Sequence, residues 1–394
     1  MRLIIFIGFF IVIVIQSFAG IQVRSIRPDA TDSRIKTYTS DSHYILTPET
    51  TKQRNLLLVH LPESFHKATQ SSHYLQLAAG EGYHVISLAY PGLNNMYSSC
   101  EHSTDPPCYE NFHREVAEGI NFSPEITIDT FESIFFRLMR ALDYLQLNYP
   151  LENWSSFLDE QGRLDHSRMI WSGHSDGAGH VAAISKYYSV HRVVCFSGPK
   201  DFSLHYYLPP VWVHTGDWKT DKSRIYAFTH TSDDYLFQRE IWDSLGLNKY
   251  GPPVNVAIQA SPYRSSHQLI TSASVNVAYI HGSTILDARS PKAQGNYIFE
   301  PVWRYLLNIE SSTSIKSQID IRFNVSPNPV QAGQQVLIHH SFPINSVEFF
   351  DISGRRIDSV TGSVFRIKPG LTAGIYFIRA RIGRQTVISS LEVY

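Results

Sequence analysis

The chain has 394 residues, of which 43% are hydrophobic and 18% charged, with a formal net charge of −1. That balance excludes a disordered chain, and the length is enough for two or three domains with a sizeable core. The near-zero charge supplies no basic field, so no nucleic-acid partner is expected.

Arg2 is followed by an apolar run over residues 3–15, and Ser17-Phe18-Ala19 then places small residues at the −3 and −1 positions. This predicts a signal peptide over residues 1–19, cut after Ala19. The run is short for a bilayer span and no later segment is long and apolar enough, so no transmembrane anchor is expected. The expected location is secreted or cell-surface, reached through the periplasm.

Residues 20–50 are polar and show no clear period. Residues 56–60 (Leu-Leu-Leu-Val-His) read as a parallel strand buried on both faces. A helix is predicted over 74–79, ending at Gly80, and a strand over 84–88. Cys100 and Cys108 flank a short loop containing Pro106 and Pro107, and in an oxidising compartment the pair predicts a disulfide. Ser123-Pro124 looks like a helix start, with apolar residues Phe131, Ile134, Phe135, Leu138, Leu142 and Leu145 before Pro150. Further strands are predicted over 168–172, 192–197, 224–229 and 254–259, and a helix over 299–307. Cys195 falls inside an apolar run and reads as a core residue. The three cysteines lack zinc-site spacing, so no metal and no cofactor is expected.

Strands alternating with helices predict an α/β fold with a mostly parallel sheet, whose functional groups gather beyond the carboxyl ends of the strands. After Leu307 the texture changes. A polar linker over 310–324 leads to short alternating strands over 336–340, 347–352, 364–367, 374–381 and 387–393. Ser353-Gly354, Pro369-Gly370 and Gly383 separate them. This predicts a small all-β, immunoglobulin-like sandwich over 325–394, following an α/β domain over 20–309.

The most informative stretch is Gly173-His174-Ser175-Asp176-Gly177, between the apolar run Met169-Ile170-Trp171 and the small-residue helix pattern from Gly179 to Ile184. Strand, sharp turn and helix with serine at the apex is the arrangement of a nucleophile elbow. A serine hydroxyl needs a base, and the base needs an orienting carboxylate. After the 224–229 strand stand Asp233 and Asp234; Asp233 is preferred, with Asp201 a weaker position. After the 254–259 strand stands His267, preferred over His281. The order Ser175, Asp233, His267 is that of α/β-hydrolases. The oxyanion requires two backbone N–H donors: Asp176 after the nucleophile, and Glu63 or Ser64 from the turn after the first buried strand, with Leu61 behind them. Pro62 has no N–H and cannot serve.

Residues 50–308 resemble the α/β-hydrolase superfamily. They are also similar to a family of secreted bacterial hydrolases in Val59-His-Leu-Pro62, Ala89-Tyr-Pro91, the Cys100 and Cys108 pair, Gly173 to Gly179, Ser197-Gly-Pro199 with Asp201, and Pro301-Val-Trp-Arg-Tyr305. Where that family has Leu-Pro-Gly-Thr, this chain has Leu61-Pro-Glu-Ser64. Residues 325–394 resemble the C-terminal sorting domain of the type IX secretion system of Bacteroidetes. The matching runs are Val325-Ser-Pro-Asn-Pro329, Val347-Glu-Phe-Phe-Asp-Ile-Ser-Gly-Arg355 and Leu371-Thr-Ala-Gly-Ile-Tyr-Phe-Ile378. These resemblances imply the hydrolase class and export with the type IX machinery as partner, and no specific substrate. With the serine, acid and base above, the leading expectation is a secreted serine hydrolase acting on a small-molecule or polymer ester. The alternatives are a catalytically silent surface-binding protein on a hydrolase scaffold, and an acyltransferase with the same triad.

Overall fold

The computed structural model describes residues 16–18, 20–49, 53–92, 99–309, 324–339, 344–352, 355–382 and 385–394. Most of the expected signal peptide, most of the linker over 310–324, and the turns at Ser353-Gly354 and Gly383 lie outside the described residues. The chain divides into two compact units, residues 1–310 and 311–394.

The first unit is built on a ten-stranded sheet in the order β1-β2-β3-β5-β4-β6-β7-β8-β10-β9. Its strands are β1 (Gln16–Phe18), β2 (Ile21–Ile26), β3 (His43–Thr47), β4 (Leu57–Leu61), β5 (His84–Ser87), β6 (Met169–His174), β7 (Arg192–Phe196), β8 (Ile225–His230), β9 (Val254–Asn255) and β10 (Gln268–Thr271). β1, β2 and β3 pair antiparallel, and β3 meets β5 antiparallel. From β5 onward every pairing is parallel. The central strands are apolar on both faces because helices cover both. Along β4, Leu57, Val59 and Leu61 enter one core and Leu58 the other, as the two-residue period of a strand requires.

The helices are α1 (Pro28–Thr31), α2 (Ser72–Gly80), α3 (Cys108–Glu118), α4 (Ile134–Asn148), α5 (Asp176–Tyr187), α6 (Tyr235–Ser244) and α7 (Glu300–Leu306). Phe112, Val116, Leu138, Leu142, Val181, Ala182 and Trp242 from α3, α4, α5 and α6 fill one core. Tyr74, Leu75, Ala78, Val302 and Trp303 from α2 and α7 fill the other. Each fully buried large aliphatic side chain contributes about 1.5–3 kcal/mol. Cys195 is buried on β7, and burial pushes its thiol pKa up. Among the described residues no helix is long and apolar enough to cross a membrane.

Two expected elements differ. The helix expected from Ser123 begins instead at Ser133, whose hydroxyl accepts from the Phe136 N–H at 3.3 Å. The buried carboxylate of Glu115 accepts from the N–H groups of Phe122, Ser123 and Ile128 at 3.1, 2.8 and 3.0 Å. Those bonds hold the segment before α4 as a loop, in competition with helix. The strand expected over 254–259 shrinks to β9, because the Asn255 side chain accepts from the Ala257 N–H at 3.0 Å and turns the chain. The strand beside β8 is β10, which follows His267.

The second unit contains a three-stranded sheet, β13-β14-β17, and a four-stranded sheet, β16-β15-β18-β19, both antiparallel. β13 (Asn324–Ser326), β14 (Gln335–His339) and β17 (Val364–Arg366) form the first. β15 (Ile344–Phe350), β16 (Arg356–Val360), β18 (Gly374–Ile382) and β19 (Gln385–Val393) form the second. Val336, Phe349, Phe365, Ile378 and Leu391 from both sheets make its core. An α/β-hydrolase fold is thus followed by a small all-β sandwich. The remaining strands, β11 (Lys292–Ala293) and β12 (Asn296–Tyr297), form a hairpin in the first unit.

Candidate active site

β6 lies between β4 and β7 and delivers Ser175 at its carboxyl end. Ser175 has φ 57° and ψ −117°, a strained backbone for a residue with a Cβ. Its N–H donates to the Phe196 carbonyl at 3.0 Å, which ties the turn to β7. The turn requires glycine on both sides. A Cβ on Gly173 would stand 2.1 Å from the Gly177 carbonyl oxygen, and one on Gly177 would stand 2.2 Å from that of Leu61. α5 starts immediately after Ser175, so its positive end faces the serine.

Asp233 follows β8, buried at the same edge of the sheet. His281 follows β10, and its Nδ1 lies 2.9 Å from both carboxylate oxygens of Asp233. A carboxylate only accepts, so Nδ1 carries the hydrogen and Nε2 is left for proton exchange. The backbone of His281 is anchored too: its carbonyl accepts from Ser197 Oγ at 2.8 Å and from His174 Nε2 at 3.0 Å. Burial alone would lower the His281 pKa, but its hydrogen bonds to Asp233 and Glu63 outweigh that and raise it to about 9. Burial likewise works to raise Asp233, and the His281 contact overcomes it, holding the carboxyl below its usual range.

The preferred base, His267, stands elsewhere. It precedes β10, whose Gln268 pairs with Ala227 on parallel β8, so His267 sits at the amino edge of the sheet. There it is stacked between Tyr226 and Tyr250, with ring centroids 4.0 and 4.4 Å away, and burial pushes its pKa down to about 4. The structure thus places His281, and not His267, beside Asp233. Asp234 pairs with Lys200 at 2.9 Å, while Asp201 joins His113 at 2.7 Å in a buried cluster behind α5.

Glu63 and Ser64 lie just after β4, at the edge that holds Ser175. The Ser64 hydroxyl donates to the Asp176 carboxylate, coupling the loop to the first turn of α5. The Tyr90 hydroxyl fixes the same loop by donating to the Pro62 carbonyl at 2.7 Å. The Glu63 side chain turns inward. Its Oε1 is 3.4 Å from His281 Nε2, and its Oε2 is 3.4 Å from His174 Nδ1 and 2.6 Å from His66 Nδ1. Burial would raise the Glu63 pKa, but the contacts with His281 and His66 outweigh it and hold the group ionised. Beside Glu63 opens a cleft of about 270 Å³, lined in part by Tyr38, Pro62, Phe65, Leu88 and Tyr90. Cys100 and Cys108 form a disulfide.

The sequence reading missed the side-chain roles of Glu63 and His174. Only the adjacency of His174 to Ser175 hinted at the second; nothing local signalled the first.

No protein-family model matches the chain, and no curated protein matches it. Among solved structures, it is similar to a bacterial heroin esterase at 15% identity, covering 65% of this chain and 76% of that one, with a TM-score of 0.31. It is also similar to TT1662 from Thermus thermophilus at 14% identity, covering 63% and 87%, with a TM-score of 0.30. A shorter match, at 25% identity and TM-score 0.14, is to a structure described as the structural basis for Dscam isoform specificity; it spans 18% of this chain and 19% of that one. The α/β-hydrolase fold itself follows from the strand order and the serine elbow.

Proposed function

We propose that this chain is an exported serine hydrolase that cleaves a carboxylic ester through an acyl-enzyme. The observation that carries the reading is the Asp233–His281 pair, held at the same sheet edge as a serine on a strained elbow. In the proposed cycle His281 Nε2 takes the proton of Ser175 Oγ as the oxygen attacks the ester carbonyl. Asp233 stabilises the imidazolium, which then protonates the leaving alkoxide. Water, deprotonated by the same nitrogen, releases the acid and restores Ser175. The N–H of Asp176, with one from the Glu63–Ser64 turn, holds the oxyanion.

Ser175→Ala is expected to abolish turnover of short-chain nitrophenyl esters without changing thermal unfolding. Turnover that survives the substitution would remove Ser175 as nucleophile.

Residues 325–394 are proposed to serve as the type IX sorting signal. The support is the three sequence runs that resemble that domain. Deleting these residues is expected to leave the enzyme in the periplasm of its host; undiminished export would refute the role.

A further inference from the structure

Glu63, His174 and His281 bring three metal-type ligand atoms within 4.8 Å of one another. The tautomers follow from their partners. His281 gives its Nδ1 hydrogen to Asp233, and its Nε2 stands 3.4 Å from Glu63 Oε1, where a proton or a cation can sit between them. His174 gives its Nε2 hydrogen to the His281 carbonyl, so its Nδ1 lone pair faces Glu63 Oε2. His174 is fully buried, and its Nδ1 has no hydrogen-bond partner. Two imidazole nitrogens thus converge on one carboxylate, and a cation that binds there displaces any proton on His281 Nε2. A proton on His281 satisfies one edge of this triangle and leaves His174 Nδ1 facing an acceptor.

We propose that Glu63, His174 and His281 form an inhibitory binding site for a zinc-class divalent cation. A pair of imidazoles with one carboxylate is a zinc ligand set, and tetrahedral zinc spaces its ligands about 3.3 Å apart. Here each imidazole nitrogen stands 3.4 Å from a different oxygen of Glu63, and one ligand atom from each residue lies within 4.8 Å of the others. Each histidine also has the outer partner that metal-bound imidazoles use, a carboxylate for one and a backbone carbonyl for the other. His66 Nδ1, 2.6 Å from Glu63 Oε2, steadies the carboxylate in the same way. The cation takes the Nε2 lone pair of His281, which is the pair that must accept the serine proton. Binding therefore silences hydrolysis, and its removal restores it. This consequence rests on the triad proposed above; the binding does not.

The test is titration of zinc ion into the intact Ser175→Ala protein by competition with a chromophoric chelator, alongside E63Q in the same background. One zinc per chain is expected, with affinity at least about tenfold weaker in E63Q. His174→Gln, checked for folding by circular dichroism, is expected to weaken binding similarly. On the parent protein, zinc is expected to block fluorophosphonate labelling over the same concentration range, and chelator to reverse the block. No binding, or equal binding by E63Q, would overturn the site. Labelling of the parent without any zinc binding would discard the metal and keep the hydrolase. Zinc binding lost in E63Q, with a parent that is never labelled, would keep the metal site and discard the hydrolase.

Discussion

His281 meets Asp233 through Nδ1 at 2.9 Å although 48 residues of chain separate them, including β9 and β10. Parallel pairing of β8 with β10 explains the meeting, because the loop after each strand emerges at the same edge. The residue that follows this rule is the partner of the acid.

Asp233 and Asp234 are adjacent but face different partners. Asp233→Asn is expected to lower kcat by about 10³–10⁴, because the amide no longer fixes the imidazole tautomer. Asp234→Asn removes a half-exposed pair with Lys200 and is expected to leave kcat within about twofold, since exposed pairs contribute little. Nitrophenyl ester kinetics on both variants decide it. Equal losses would undo the assignment.

The two histidines separate activity from stability. His281→Ala is expected to lose turnover while staying folded. His267→Ala removes a ring stacked between Tyr226 and Tyr250, and is expected to cost about 1–3 kcal/mol of stability with turnover intact. Urea unfolding and ester kinetics on the pair check this. A His267 variant that is stable and inactive would reverse it.

Acid stability should follow the buried imidazoles. Burial pushes His43 and His60 down to about 3 from the ordinary 6.5. Below 6.5 the unfolded chain takes up protons that the folded chain refuses. Their contribution is therefore complete above 6.5 and is lost as the pH falls toward 3. Each group costs about 1.4 kcal/mol per pH unit in that window, or about 2 kcal/mol at pH ~5. Urea unfolding at about pH 6.5 and about pH 5 is expected to show the loss, and His43→Asn to reduce it. Unchanged stability across the window would contradict the burial argument.

The disulfide closes a short loop, with a sequence separation of 8. Replacing Cys100 and Cys108 together by serine is expected to cost about 2 kcal/mol through the freed loop of the unfolded chain. A double variant as stable as the parent would contradict that cost.

The serine turn after β6 and the aspartate after β8 were legible as positions in the sequence because each depends on a local pattern, an apolar strand run shortly followed by the residue. The pairing of Asp233 with His281 was ranked there behind His267. The strand before His281 is the four-residue β10, Gln-Leu-Ile-Thr, too short to show a period, whereas residues 254–259 alternate like a strand and end in a turn. The start of α4 failed for a similar reason, since Ser123-Pro124 has the chemistry of a helix start, while the Glu115 carboxylate on the preceding helix holds the segment as a loop. The inward turn of the Glu63 side chain is tertiary altogether, set by histidines 3, 111 and 218 residues away along the chain.

The central claim is that Ser175 is activated by His281. Intact-protein mass spectrometry after exposure to a fluorophosphonate probe tests it most directly, on the parent, Ser175→Ala, His281→Ala and His267→Ala. The expected result is one adduct on the parent and on the His267 variant, and none on the Ser175 and His281 variants. A parent without an adduct, or a His281 variant labelled as fast as the parent, would contradict it.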